Sequence, residues 1–513
     1  MRGAMRRGVV LGASIAAVAA APGVQAQLAA VPESESGRAF SVVPSLAISE
    51  TLTDNSRLTS ADRQTDLITQ LRPGIRITST GGRVKGFVDY SLTGLAYARS
   101  SSSNELQNSL NSVVKVEAID NWAFVDAAAN ISQQSISAYG TRSADSTLVN
   151  GNRTEVRSLT LSPYVKGSLA GFADYEARVT QSWTRNSSSE AANNSSSLAT
   201  LRVGGNSGLR VVSWSVDASH QVYDYSTGRR TEDDVVRGLL FFAVSPELRL
   251  TLIEGRESNN IASTEKASHS TPGFGVDWSP TETTKLSGKY ERRFFGSSHA
   301  LSFEHRTPRT VWRYRDTQDT STGFGQPAPG SVGTAYDLFF AQFASQQPDP
   351  VLRAALVDAF LRANGIAPTT QVFAGSLAPA VTRQRRQELS FALIGMRDTV
   401  TFGASQTQAL ALDNTAPVTG DFANGNLVRA RALSLGLAHR LTPSSALNLL
   451  ASINRASGTV NAPTTTLRSV SLYWTDQLSS RSNFSLGAHH AKFSSPTNPY
   501  AETGLTATLG LRF

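Results

Sequence analysis

From Phe40 to the last residue, apolar and polar side chains alternate with a period of two in one stretch after another. Phe40, Val42, Leu46 and Ile48 alternate with Ser41, Ser45 and Ser49. Val212, Trp214, Val216 and Ala218 alternate with Ser213, Ser215, Asp217 and Ser219, and Leu433, Leu435 and Leu437 with Ser434, Gly436 and Ala438. That period belongs to strands with one apolar and one polar face, so the chain is all-β. Charged residues make up 17% of the chain and apolar ones 40%, which excludes wholesale disorder. With no cysteine there are no disulfides and no Cys-based metal sites.

A water-facing sandwich would alternate in the same way, so the connections and the two ends must decide what the apolar face touches. About 22 candidate strands can be marked, within a range of 18 to 24, from 40–52 to 502–513. They include 208–222, 271–279, 298–306, 308–316 and 385–397. Their connections tend to alternate in length. Short ones such as Ile119-Asp120, Ser245-Pro246 and Thr442-Pro443-Ser444 take turns with long ones at 53–65, 133–154, 258–270, 317–384 and 408–426. Short turns at one rim and long polar loops at the other are the pattern of a transmembrane antiparallel β-barrel of the bacterial outer membrane. Phe295-Gly296-Ser297 breaks the parity, being short where a long loop is due.

Both ends agree. Arg2, Arg6 and Arg7, the apolar run Val9 to Ala21 and the small-residue site Val24-Gln25-Ala26 read as a secretory signal peptide over 1–26. A short periplasmic segment, 27–39, would follow, and then the barrel, 40–513. No other segment has the roughly 20 apolar residues of a membrane-spanning helix. At the far end Leu505, Ala507, Leu509, Leu511 and Phe513 hold every second position. A strand closed by a terminal Phe resembles the signal read by the barrel-assembly machinery.

On a lipid-facing barrel, Trp122, Trp183, Trp278 and Trp474, all near strand ends, would form aromatic girdles; Trp214 and Trp312 fall mid-strand and do not fit. Arg83, Lys85 and Asp89, and Lys285, Lys289, Glu291 and Arg293, lie opposite apolar faces and are the candidates for lining a wet lumen. The period of two fails over 317–384, where Tyr336 to Phe343 and Val351 to Leu361 look helical. Asp349 is placed as N-cap, Pro350 opens the second helix and Gly365 follows it. Parity sets this insert on the outer side, as a constriction or lid ahead of a passive surface loop.

Glu50 to Asn55 (ETLTDN), Leu71 to Ile75 (LRPGI), Val88 to Leu92 (VDYSL) and Pro348 to Pro350 (PDP), followed by a helix and Gly365, resemble the outer-membrane β-barrels associated with the PEP-CTERM/exosortase system. The likeness spans most of the exported chain. It implies a Gram-negative outer-membrane protein serving exopolysaccharide and surface secretion, with no catalytic residue to carry over. The partners then expected are outer-membrane lipid and lipopolysaccharide, the barrel-assembly machinery and exopolysaccharide export components.

The motif search favours no enzyme. The seven histidines form no HExxH pair and no zinc spacing, and there is no GxSxG elbow or P-loop. Ser485 and His489 share one face of the penultimate strand, but no acid stands out as a third member. Asp54, Asp62 and Asp66 lack the regular spacing of a calcium loop. No cofactor or metal is expected, and the mild excess of 48 Lys and Arg over 40 Asp and Glu is no argument for nucleic acid. A TonB-dependent transporter fits poorly, since strands beginning near Phe40 leave no room for a plug domain. A porin-like or export conduit leads, ahead of a non-conducting docking barrel of the secretion machinery and, further behind, a lipid- or glycan-modifying enzyme. A single barrel predicts heat-modifiable gel mobility and protease-protected strands; a soluble periplasmic monomer would end that reading.

Overall fold

The computed structural model describes residues 39–100, 103–145, 147–188, 192–226, 228–321, 380–413, 415, 420–459 and 462–513, with nine single residues between 336 and 361. One antiparallel sheet contains every strand. In order these are β1 (Phe40–Thr53), β2 (Asp66–Ser79), β3 (Val84–Tyr97), β4 (Glu105–Ile119), β5 (Ala123–Ser135), β6 (Arg153–Leu169), β7 (Ala173–Asn186) and β8 (Asn194–Asn206). There follow β9 (Val212–Tyr225), β10 (Thr231–Ala243), β11 (Leu248–Asn259), β12 (Ala267–Ser270), β13 (Gly273–Thr281), β14 (Thr284–Arg293), β15 (Gly296–Arg306) and β16 (Thr310–Ser321). The last are β17 (Thr382–Ile394), β18 (Asp398–Ala411), β19 (Val428–Arg440), β20 (Ser445–Ser457), β21 (Thr465–Asp476), β22 (Ser482–Ser494) and β23 (Tyr500–Arg512).

Each strand pairs with its neighbours in sequence, and β1 pairs with β23 from Ser45↔Arg512 to Thr53↔Gly504, so the sheet closes on itself. β12 and β13 both pair with β11 and are one strand position broken at Thr271-Pro272, where proline has no N–H to give. The 23 strands therefore occupy 22 positions. The β2–β3 ladder likewise skips Arg72-Pro73 without changing register.

The apolar alternation points outward. Leu433, Leu435 and Leu437 on β19, Val470 and Leu472 on β21, and Leu505 and Leu509 on β23 face away from the interior, with Leu435 47% and Leu505 54% exposed. Ser434, Ser452 and Ser49 face inward and are buried. A belt of leucine, valine and phenylalanine on the outside of a closed sheet cannot be a water surface, and the polar interior cannot be a protein core. The described part has an outer-membrane-type barrel fold and almost no helix, and none of its helices is long and apolar enough to cross a membrane.

The strand ends refine the expectations. β9 begins at Val212 and β16 at Thr310, later than the sequence suggested, so Trp214 and Trp312 are third residues of their strands instead of mid-strand ones. Trp214, Trp278, Trp312 and Trp474 thus face outward at the short-turn rim, with Trp122 in a turn there donating to Tyr175 Oη at 3.0 Å. Trp183 stands alone near the other rim. The irregular hairpin is real: Arg293 pairs with Gly296 across two residues, and Gly296 has φ +108°, a turn conformation open to glycine.

The helical insert lies almost wholly outside the described residues, and the described barrel does not establish it. Its expected bounds shift, because Thr317 to Ser321 and Thr382 to Gln384 are strand. They are polar on both faces, which is why the alternation faded there. The signal peptide and most of 27–39 also lie outside the described residues.

Arginine at mid-belt should cost far more than at the rim. Leu435→Arg is expected to lose about 2–4 kcal/mol and Leu441→Arg, in a short turn, about 0–1 kcal/mol, measured by reversible unfolding from lipid vesicles.

Candidate functional site: the lumen wall and the closed outer mouth

The inward faces carry charge of both signs, and much of it is paired, within a strand or between strands one to three positions apart. Arg76 meets Asp89 at 3.4 Å, Arg178 lies 3.0 Å from both Asp126 and Glu176, and Arg202 meets Asp217 at 2.8 Å. Arg237 is 2.9 Å and Lys289 3.4 Å from Glu291, and Arg313 is 3.1 Å from Glu304. Arg293 is the most enclosed: it binds both Glu257 oxygens and Asp233 at 3.1 Å and reaches Asp319 at 2.5 Å. Lys115, Lys166 and Arg178 pack over the stacked rings of Phe124 and Tyr164. Lys85, Asp89, Lys285, Lys289, Glu291 and Arg293 share these inward faces. Arg83 does not; it precedes β3 and pairs at 2.8 Å with Asp120 in the neighbouring short turn.

Among the described residues a loop crosses the long-loop mouth. Loop 136–152, between β5 and β6, folds inward and crosses to the far wall. Ser137 Oγ and the Ala138 N–H both donate at 2.6 Å to the Asp421 carboxylate, which lies in the β18–β19 connection almost half way round the barrel. Asn426 donates to Tyr139 Oη at 3.0 Å. On the near side Tyr97 Oη donates to the Thr147 carbonyl at 2.5 Å, Tyr500 Oη donates to the Arg142 carbonyl, and Asn498 donates to Thr141 Oγ1 at 3.0 Å.

Apolar contacts seal the same junctions. Leu148 joins Leu58 of loop 54–65 and Ile68, Tyr97, Phe493 and Tyr500 of the wall in one buried cluster. Ala138 joins Phe422, Val428, Ala409 and Ala456 in a second. Two buried clusters with these hydrogen bonds make a bar across the mouth rather than a loop waving above it.

Electrostatics marks two groups in this bar. Burial pushes the Arg142 guanidinium down to about 10, and its Nε has no partner among the described residues. Burial also raises the Asp421 carboxyl above its ordinary value, against the donors Ser137 and Ala138 and the charge of Arg142, which pull the other way. Loop 136–152 was not foreseen as the closure. Its signal is Ile136, Ala138, Tyr139, Ala144, Leu148 and Val149 in a largely polar outer loop, of which the larger ones need cover.

The remaining candidates resolve differently. His489 does have an acid: its Nε2 lies 2.9 Å from Glu502 on β23, and Thr53 Oγ1 donates to the same carboxylate at 2.8 Å. Gly504 leaves room for the His489 ring, which a Cβ there would meet at 2.4 Å. Ser485, however, is four residues back along β22, about 13 Å away, so no Ser/His pair forms. Asp54 binds the Thr503 N–H at 2.7 Å and Asp66 the Arg99 and Ser100 N–H groups at 2.9 Å. Among the described residues no group of three or more His, Asp or Glu could hold a metal.

No family model matches the chain, and no curated protein matches it. Solved structures similar in form include the siderophore receptor PirA from Acinetobacter baumannii, at 7% identity and TM-score 0.48 over 92% of this chain and 80% of that one. The FrpB iron transporter from Neisseria meningitidis (F3-3 variant) is 10% identical with TM-score 0.47 over 94% and 82%. A mutant ferric enterobactin receptor from Pseudomonas aeruginosa, in complex with enterobactin, is 10% identical with TM-score 0.48 over 92% and 81%. Similarity of that order says nothing of ligand or transport, and the barrel form rests on the strand register.

For a carboxyl whose folded value is raised, the protonated form favours the closed loop. Its contribution is full below the ordinary carboxylate range and fades as pH rises through the folded value. The open fraction in bilayer recordings should therefore rise with pH from the acid side, and Asp421→Asn should flatten that response. An unchanged pH response in the variant would remove Asp421 from the closure.

Proposed function

We propose that the chain is a gated outer-membrane conduit for a polar solute or polymer, with loop 136–152 as its outer gate. The observation that carries this is the bar across the mouth, pinned at Asp421 on the far wall and sealed by Leu148 and Ala138. A barrel of 22 positions encloses more space than its own side chains can fill, so a closure is needed wherever the lumen is wet. The paired charges of the wall suit a hydrated path that does not select strongly for one sign of charge. Secretion through the signal peptide over 1–26, insertion guided by Leu505 to Phe513, and residence in the outer membrane complete the reading.

The resemblance to PEP-CTERM/exosortase-associated barrels favours exopolysaccharide export as the service performed. The expected narrowing by the insert falls within 322–379, nearly all of it outside the described residues, and enters this reading only as something to test. One observation favours the alternative of a non-conducting docking barrel. The clusters at Leu148 and Phe422 are as buried as a core, and such a closure would hold a barrel that never opens.

Single-channel recording of the refolded protein separates the two. Replacing 138–150 with a short Gly/Ser link should raise steady conductance several-fold over the parent, and removing 322–381 should add to it if the insert narrows the path. Silence from all three proteins, each shown by heat-modifiable mobility to be folded, would favour the docking barrel and overturn the conduit.

A further inference from the structure

We propose that the outward face of β17–β22, at the long-loop rim, is a binding site for a phosphorylated glycolipid of the outer leaflet. The argument starts with where the cations stand. Arg383 and Arg385 on β17, Arg429 and Arg431 on β19, Arg455 on β20, Arg468 on β21 and Lys492 on β22 alternate in phase with outward Leu389, Leu433, Ile453 and Val470. Each is one to three residues from the long-loop end of its strand. The backbone ladder runs Leu433↔Ile453↔Arg468↔Lys492, while Arg431↔Arg455 lie one outward row higher. The step of the cations from row to row follows the tilt of the strands, which brings them towards one height above the apolar belt.

Charge distribution selects this arc from the rest of the rim. Among the described residues, no carboxylate faces outward on the outer half of β17–β22. The nearest is Asp316 on β16, held by Arg385 at 2.7 Å, and Arg431 donates to Gln406 at 2.7 Å. Elsewhere some outward cations come with acids, Arg157 with Glu155 at 2.7 Å and Lys266 with Glu232 at 2.9 Å and Asp234 at 2.7 Å, and the others, Arg185, Arg256 and Arg292, are scattered over β7, β11 and β14 instead of gathered on neighbouring strands. Arg431, Arg455, Arg468 and Lys492 are exposed, and strands about 4.8 Å apart spread them over roughly 14 Å.

Chemistry then names the occupant. Immediately below these cations the same faces present Leu433, Leu435, Ile453, Val470 and Leu472. A ligand on this wall meets cations at its head and hydrocarbon along its tail, the two halves of a lipid with phosphate on its sugar headgroup. A soluble phosphate would leave the leucines uncovered, and a nucleic acid would leave them in water. Arginine suits the role because its planar fork pairs with phosphate oxygens two at a time. The site rests on the reading that the barrel sits in an outer membrane with this rim outward.

The test uses the full mature protein, refolded in neutral detergent and checked first for heat-modifiable mobility, so that failure of the barrel reading is seen separately. Native mass spectrometry would measure binding of rough-type lipopolysaccharide, the same lipid stripped of phosphate, phosphatidylglycerol and inorganic phosphate. R431Q/R455Q/R468Q/K492Q should bind rough lipopolysaccharide at least about tenfold more weakly than the parent. R157Q/R185Q/R256Q on the other arc should match the parent, and R455Q/R468Q replaces the fourfold variant if that one does not refold. Equal binding of dephosphorylated lipid would overturn the proposal. So would an equal loss in the other-arc variant, or binding of phosphatidylglycerol or inorganic phosphate as tight as that of the glycolipid.

Discussion

In hydrocarbon no water is present to satisfy a free backbone N–H or carbonyl, so a sheet can cross only if it has no edge. The pairing of β1 with β23 meets that demand, and the rest of the molecule follows from it. Closure fixes which face is outside, and with it the meaning of every second residue. Serine and threonine ladders then fall inside, where Ser49 meets Thr508 and Thr51 meets Thr506 beside that seam. Leucine falls outside, where lipid replaces a protein core.

Closure at this size creates a second problem. A small barrel fills itself with side chains, but a ring of 22 positions does not. Ion pairs between strands one to three positions apart coat the wall without spanning the space. What spans the outer mouth is loop 136–152, and it does so with an apolar anchor and a polar latch at each side. The near anchor is Leu148 against Tyr97 and Tyr500; the far one is Ala138 beside Phe422, latched by Asp421. Only Tyr97 among the near contacts is close in sequence; the bonds to Asn498 and Tyr500, like the far latch at Asp421, join residues more than 280 apart, so both ends of the bar depend on the closed barrel.

That difference explains what could be read from sequence. Strand existence follows from a local period, so the number of strands and the hairpin at Gly296 were legible residue by residue. Strand limits were less so. Above the belt both faces turn polar, as at Thr317 to Ser321, and below it the starts at Val212 and Thr310 carry no break in the pattern, which misplaced Trp214 and Trp312. The latch at Asp421 and the acid at Glu502 beside His489 depend on closure and on neighbours that no local pattern names. Abundant serine hid the same point from the other side, since Ser485 shares a face with His489 and yet stands too far away.

The outward charges belong to neither the local period nor the closure. A strand needs polar residues where it leaves the hydrocarbon, but it does not need them all to be basic. Between β9 and β11 the requirement is met by Glu232, Asp234 and His220 with Lys266, a group that mixes acids with a cation. Between β17 and β22 it is met by arginine and lysine, with Asp316 answering Arg385 alone. Like charges at the low dielectric of a membrane border repel one another, and an anion beside such an arrangement would stabilise it. The asymmetry is therefore a statement about what surrounds the barrel, made by residues that the fold itself leaves free to vary.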